Sequence, residues 1–482
     1  MRTTFFRALA GATLGLSIVA VSGAADAKEA KYVFMMIGDG MAMAQRNAAE
    51  IFLASRDGGE VKPGIVKLTM SAFPAQGMQT TYSTNSIITD SAAAATALST
   101  GFKTQSGVIG MDATGKKPFK LISEMAKEKG YKIGIVTSVS LNHATPAGYY
   151  AHVPSRHDYY GIGLQMADSG FEYFGGGGVN RATGKKKDKK SVYDVLTEKG
   201  YTVAKTRGAF DALKPGAKAV AVNPYLDGSS AMPYAIDRPG DSISLADFTK
   251  KGVELLDGPD GFFLMVEGGK IDWSCHANDA VTSIKDTVAF DDAVKVAYDF
   301  YQKHPDETLI VTTGDHETGG LTIGFAGTKY DTFFPQLAKQ NASYDEFDKS
   351  LADYKKNHTA DTASLDDLAP QVKERFGLDV ADLKEHEVSD LNKALKQSML
   401  DKKVQSANPQ DYLLYGGYEP FTVALTHLLN RKAGLSWTTY SHTGVPVPVM
   451  AIGVGAEKFN GYYDNTDVAK KMMNIMGLGG AA

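Results

Sequence analysis

The sequence predicts an α/β protein: a central, mostly parallel sheet with helices on both faces, carrying a helical insertion. Three observations lead there. Short apolar runs alternate with stretches of helical periodicity, the pattern of strands joined by crossover helices. Several of those runs stop at a glycine-flanked carboxylate, which puts acids at the carboxyl edge of a sheet, where α/β proteins bind ligands. The chain also has 482 residues, 43% hydrophobic and 22% charged, enough to bury a large core.

Taken in order, the first residues have the layout of an export signal. Arg2 and Arg7 flank the start of an apolar run of fourteen residues, Ala8 to Val21, and Ala25-Asp26-Ala27 is a small-x-small cleavage site. Cleavage after Ala27 is expected, leaving residues 28–482 as a periplasmic or secreted protein. The run is shorter than the roughly 20 residues that cross a bilayer, so no membrane span is expected. Strands are predicted at Tyr32–Ile37, Lys132–Val136, Ala219–Val222, Phe262–Val266, Thr308–Thr312 and Val447–Ile452. Helices are predicted near Met41–Leu53, Ala92–Leu98, Leu121–Lys129, Leu245–Leu256, His276–Gln302 and Asp467–Met476. Residues 328–435 are polar, charged and helix-prone, and read as an insertion that is a lid, a dimer contact or decoration. Arg181–Lys190 reads as a solvated basic loop, with a docking patch as the minor alternative.

Charge and cysteine content narrow the chemistry. Lys plus Arg number 51 against 55 Asp plus Glu, a net −4, which excludes a scaffold for nucleic acid. Cys275 is the only cysteine, so neither an intrachain disulfide nor a thiolate zinc finger is available. Any metal site must be built from His, Asp and Glu.

Such residues stand where strands end. Gly38-Asp39-Gly40, Glu267-Gly268-Gly269 and Gly314-Asp315-His316 each follow an apolar run. Singly, each acid is better explained as a turn residue or helix cap; three together, one beside a histidine, aim at one crevice. Asp272 and His276, four apart, share a helical face and either grip a cation or form a surface pair. His442 stands at a turn before the Val447–Ile452 run, where a lone histidine is more often structural. Asp39, Asp272, Asp315, His276, His316 and His442 suit borderline cations with nitrogen and oxygen ligands, favouring zinc. Glu267 with a hydroxyl and water suits magnesium. Ser91 opens an alanine-rich helix whose N–H groups face any anion there. Taken alone it reads as a cap; as a nucleophile it needs activation by a metal, because no G-x-S-x-G elbow supplies a base.

The motifs containing these residues resemble, in the same order, those of alkaline phosphatases: Gly38-Asp39-Gly40-Met41, Thr89-Asp90-Ser91-Ala92-Ala93, His143-Ala144-Thr145-Pro146-Ala147, Ala151-His152-Val153-Pro154-Ser155-Arg156, Glu267-Gly268-Gly269-Lys270-Ile271-Asp272, Thr313-Gly314-Asp315-His316 and Ser441-His442-Thr443-Gly444. The resemblance implies phosphate monoester hydrolysis through a phosphoserine on Ser91, with two zinc ions and one magnesium. It implies a first zinc on Asp272, His276 and His442, and a second on Asp39, Asp315 and His316. Magnesium would lie on Asp39, Thr145 and Glu267, and Arg156 would hold phosphate oxygens. Homodimers, common in the family, are implied as well. Two positions depart from the best-studied bacterial members, which have Asp in place of His143 and Lys in place of Trp273; both are expected to modulate the third metal site and phosphate binding. Competing expectations are a phosphodiesterase or sulfatase of the same superfamily, and a non-catalytic zinc- or phosphate-binding protein.

Overall fold

The computed structural model describes residues 29–56, 66–401 and 408–479; the expected export signal lies outside them. The strands are β1 (Tyr32–Gly38), β2 (Ala75–Thr80), β3 (Lys132–Thr137), β4 (Tyr173–Gly176), β5 (Tyr201–Ala204), β6 (Lys218–Val222), β7 (Phe262–Glu267), β8 (Thr308–Gly314), β9 (Glu317–Thr318), β10 (Thr322–Ile323), β11 (Leu435–Ser436), β12 (His442–Thr443), β13 (Val447–Gly453) and β14 (Gly461–Asp464). Ten of them form one sheet in the order β14-β2-β13-β8-β1-β7-β3-β4-β6-β5, and β13 alone runs antiparallel to its neighbours there. The four shortest make two-stranded ribbons, β10-β11 and β12-β9.

All seven residues of β1 are buried, which is why it reads as an unbroken apolar run. Alternate side chains feed two cores. Phe34 and Met36 pack on one face with Phe262, Leu264 and Ile310. Val33, Met35 and Ile37 pack on the other with Phe263, Met265 and Val311. The predicted fold class holds, and each of the six predicted strands is present. The sheet also contains β2, β4, β5 and β14, which were not foreseen.

One helix boundary differs. The single helix expected from His276 to Gln302 is two, Lys270–His276 and Ala280–Tyr301. Asn278 takes a left-handed φ of 53° between them, and the Asp279 side chain caps the second by accepting from the Thr282 N–H. His276 therefore closes a short helix pointing into the sheet edge instead of opening a long one.

Residues 328–435 contribute the helices Tyr344–Lys355, Leu365–Phe376, Glu385–Ser398, Pro409–Tyr415 and Pro420–Ala433. Their apolar faces, including Phe347, Leu351, Phe376, Leu395 and Phe421, join the first of the two cores. Asp348 sits within this packing and accepts a 2.5 Å hydrogen bond from the Thr422 hydroxyl. Burial, helped by the Glu419 and Asp345 charges, pushes its carboxyl up to about 7 despite that hydroxyl and Lys355. Because the folded-state value exceeds the unfolded one, ionising Asp348 costs stability progressively as pH rises from about 4 to 7, and the loss is complete above that. Asp348→Asn keeps the acceptor for Thr422 and removes the charge. It is expected to add about 1–2 kcal/mol at pH 8.5, and clearly less at pH 5. Thermal melts of both proteins at the two pH values check this; an equal gain at both would refute it.

Candidate active site

Strand register builds the site. Ile37 pairs with Glu267, and Gly38 with Gly314, so the carboxyl ends of β1, β7 and β8 are level. Asp39, Glu267 and Asp315 leave the sheet side by side. Gly40 takes φ 72°, and a Cβ there would lie 2.8 Å from the Asp272 Cα and 2.9 Å from Thr318 Oγ1. Only a glycine lets the β1 turn approach the Lys270–His276 helix so closely. The β12-β9 ribbon pairs His442 with Thr318 and returns the distant His442 to the same edge.

Two clusters result, joined through His316. Asp272 Oδ1 lies 3.4 Å from His276 Nε2 and 3.5 Å from His442 Nε2, and those two nitrogens are 3.1 Å apart. His316 Nε2 is 3.4 Å from Asp39 Oδ1, 3.3 Å from Asp315 Oδ2 and 3.2 Å from Ser91 Oγ. The His316 and His442 rings stack with centroids 3.6 Å apart. Three groups bring ligand atoms within 4.8 Å of one another: Asp272, His316 and His442; Asp39, Asp315 and His316; and Asp39, Glu267 and His143.

The donor set fits divalent cations. His276 Nδ1 lies 2.6 Å from the Tyr440 carbonyl and His442 Nδ1 lies 2.8 Å from the Thr89 carbonyl. A carbonyl only accepts, so both histidines carry a proton on Nδ1 and turn Nε2 inward toward Asp272, the atom left to ligate a metal once its own proton is given up. Both Asp39 oxygens, Asp315 Oδ2, Glu267 Oε1 and Thr145 Oγ1 are buried without a hydrogen-bond partner in the protein. Burial, with repulsion from Asp315, Asp272 and Glu267, pushes the Asp39 carboxyl well above its usual range. Asp315 is pushed up to about 8 by burial and Asp272, and Glu267 up to about 7 mainly by burial. Asp272 moves the other way: against burial, the neighbouring imidazoles, His276 first, hold it well below the carboxylate range. His276, beside Asp272, rises to about 9 although burial opposes it. Buried anions that repel one another and lack donors are the arrangement a cation stabilises.

Ser91 begins the Ser91–Thr100 helix, with Asp90 rather than Ser91 as its cap; the Asp90 carboxylate accepts from the Ala93 N–H. The cap reading of Ser91 is thereby corrected, because its hydroxyl faces His316. Asp90 also accepts from Arg156 Nη1 at 2.9 Å, while Arg156 Nη2 donates to His143 Nε2 at 3.2 Å. Burial and the Arg156 charge hold His143 down to about 3, so it is neutral. Trp273 lies beside His143 with ring centroids 5.9 Å apart. The twelve residues singled out from the sequence thus form one connected cluster, seven of them lining a single cleft. Sequence reasoning missed Thr318, whose hydroxyl donates to Asp272 Oδ1 at 2.5 Å, and Tyr344 and Tyr418, which line the same cleft. Nothing in the local sequence marks those three.

A sequence profile of the family described as alkaline phosphatase matches residues 30–478. The chain belongs to the alkaline phosphatase family. Alkaline phosphatase 4 of Bacillus subtilis is 33% identical over 98% of this chain and 94% of its own length. The cold-active alkaline phosphatase of the psychrophile Shewanella sp. superposes with a TM-score of 0.75 at 31% identity, covering 92% of this chain and 99% of that one. The enzyme of the Antarctic bacterium TAB5, in a variant with one histidine changed to aspartate, is described with magnesium in its M3 site; it has a TM-score of 0.63 at 25% identity, covering 93% and 99%. This alkaline phosphatase is therefore a phosphoric monoester hydrolase of a metal-dependent family. No helix among the described residues is long and apolar enough to cross a membrane.

Proposed function

We propose that this alkaline phosphatase hydrolyses phosphate monoesters through a covalent phosphoserine on Ser91. Two zinc ions would be held by Asp272, His276 and His442 and by Asp39, Asp315 and His316, with a magnesium on Asp39, Thr145 and Glu267. The observation that carries the reading is the placement of Ser91 Oγ against a buried, donor-poor cluster of carboxylates and imidazoles. Bound divalent ions supply the charge that lowers the pKa of a hydroxyl and stabilises a departing alkoxide. Ser91 Oγ attacks phosphorus, and the bond from phosphorus to the ester oxygen breaks. Arg156 offers its planar fork to two non-bridging oxygens, oriented by its hydrogen bond to Asp90. Water then attacks the phosphoserine, freeing inorganic phosphate and returning Ser91.

His143, where the best-studied bacterial members have Asp and some other members have His, contributes no charge to the third site, so magnesium there is held by fewer anions. Export through residues 1–27 and homodimer formation complete the proposal. Purified protein should contain zinc and hydrolyse 4-nitrophenyl phosphate at alkaline pH, losing activity to a chelator and regaining it with zinc; a metal-free protein of full activity would refute it.

Trp273 supplies no cation to the phosphate. Trp273→Lys is therefore expected to tighten inhibition by inorganic phosphate about tenfold, the worth of one charged hydrogen bond, and to slow turnover where product release limits it. Inhibition constants for both proteins decide this, unchanged affinity counting against it.

A further inference from the structure

The wall of the catalytic cleft is partly aromatic. Trp273, Tyr344 and Tyr418 line the same cleft as Ser91, Arg156, His276 and His442. Two of the three rings come from residues 328–435: Tyr344 is the first residue of the Tyr344–Lys355 helix, and Tyr418 precedes the Pro420–Ala433 helix. The rings are fixed. The Tyr344 and Tyr418 rings meet edge to face at 5.9 Å and 86°. Tyr344 Oη is 2.9 Å from Tyr234 Oη, and the Tyr344 N–H donates to Asp279 Oδ2 at 3.0 Å. Tyr418 stacks at 6.3 Å on Tyr440, whose carbonyl accepts from His276.

On the same short helix as Trp273 is Lys270, a buried ammonium 2% exposed and packed behind the cleft wall against Trp273. Its Nζ is 2.8 Å from Asp227 Oδ2, 3.8 Å from the Tyr234 ring centroid and 4.7 Å from that of Trp273. A desolvated cation between two aromatic faces ties both rings to the helix that carries Asp272. Trp273 is thus linked through Lys270 to the buried Tyr234, Tyr234 to Tyr344, and Tyr344 to Tyr418, which rests on Tyr440.

We propose that Trp273, Tyr344 and Tyr418 form a leaving-group subsite that favours phosphate esters of planar aromatic alcohols, with Lys270 as a positioning residue beneath it. The inference rests on the monoesterase reading, because a phosphoryl group on Ser91 is what directs the ester substituent outward between the rings. Rings already ordered lose little freedom on contact, and offset or edge contacts reward a flat partner over a puckered one of similar size.

The test compares kcat/KM for benzyl phosphate and cyclohexylmethyl phosphate, which differ in planarity with closely similar leaving groups. The wild-type holoenzyme is expected to favour the benzyl ester about five- to tenfold, as one or two aromatic contacts imply. Trp273→Leu and Tyr418→Leu should bring the ratio to within about twofold, whereas Trp273→Phe should retain it. Lys270→Met should lower the ratio through KM for the benzyl ester, with the kcat values of both esters changing in parallel. Equal turnover of the two esters by the wild type overturns the subsite alone. Failure to hydrolyse either removes the monoesterase reading and the subsite with it. The wild-type ratio is informative even if a variant does not fold.

Discussion

Ser91→Ala should abolish the phosphoenzyme and lower kcat/KM for aryl phosphates by about 10³-fold or more, the scale on which removal of an activated nucleophile acts. The loss is chemical, because little else depends on that hydroxyl. The Ser91–Thr100 helix is capped by Asp90, not Ser91, and alanine is a better helix former. Ser91 is 2% exposed, so deleting one oxygen leaves a space no larger than a water. Its hydroxyl meets the ligand cluster in a hydrogen bond with His316 Nε2 at 3.2 Å. Metal content and melting temperature should therefore match the wild type while activity collapses. Labelled phosphate trapped on the wild-type protein at acid pH and absent from the variant would locate the intermediate. A variant keeping more than a tenth of the activity would rule out Ser91 as nucleophile.

Arg156 frames how much of that loss is shared. With Arg156 on Asp90 and His143, the oxyanion side of the cleft is prepared without Ser91. Residual turnover in Ser91→Ala would come from water attacking a phosphate ester still gripped there, the kind of remainder that survives nucleophile removal in other hydrolases.

The fold was legible where burial writes an unambiguous pattern. β1, β7 and β8 are covered on both faces, so each carries an unbroken apolar run, residues 33–37, 262–266 and 309–311, that reads as a central strand. β2 escaped notice because Ala-Gln-Gly-Met-Gln-Thr shows no such run. Its buried Gln79 is tolerated because Nε2 donates to Thr313 Oγ1 and the Gly314 carbonyl, a partner set visible only in three dimensions. β4 holds two glycines, and β5 and β14 are short strands on the sheet edges. The direction of β13 could not be read either, since alternation is the same for both pairings. In the site, carboxylates that follow strands announce themselves, because a charge directly after a buried run has to have a purpose. Thr318 and the two tyrosines do not. A threonine in a two-residue ribbon and aromatic residues in a helical insertion have ordinary local roles, and only contacts across 46 residues or more bring them to the cleft.

Removing the metals should make the protein less stable as pH rises, and restoring zinc should release protons. Asp315 at about 8 and Glu267 at about 7, with Asp39 raised too, have folded-state values above those of an unfolded chain. For a carboxyl raised in this way, folding binds protons. Stability is greatest when the group is neutral in both states, falls once the unfolded carboxyl ionises near 4, and is fully reduced above the folded value. His276, raised to about 9, adds stability that persists below the unfolded value near 6.5 and is lost as pH climbs through 9. Both contributions have one sign, so the chelated protein should melt several degrees lower at pH 9 than at pH 5.5. Zinc reverses the slope because a ligand must give up its proton to bind, and occupancy therefore tightens with pH over the same window. Titrating zinc into chelated protein at pH 7, in buffers of different ionisation enthalpy, should report release of more than one proton per protein. Loss of the metals should cost more stability than any point substitution discussed above, since four buried carboxylates would then face one another with only imidazoles between them. A chelated protein with a pH-independent melting point, or zinc binding without proton release, would mean that Asp39, Asp315 and Glu267 are not the groups that hold the cations.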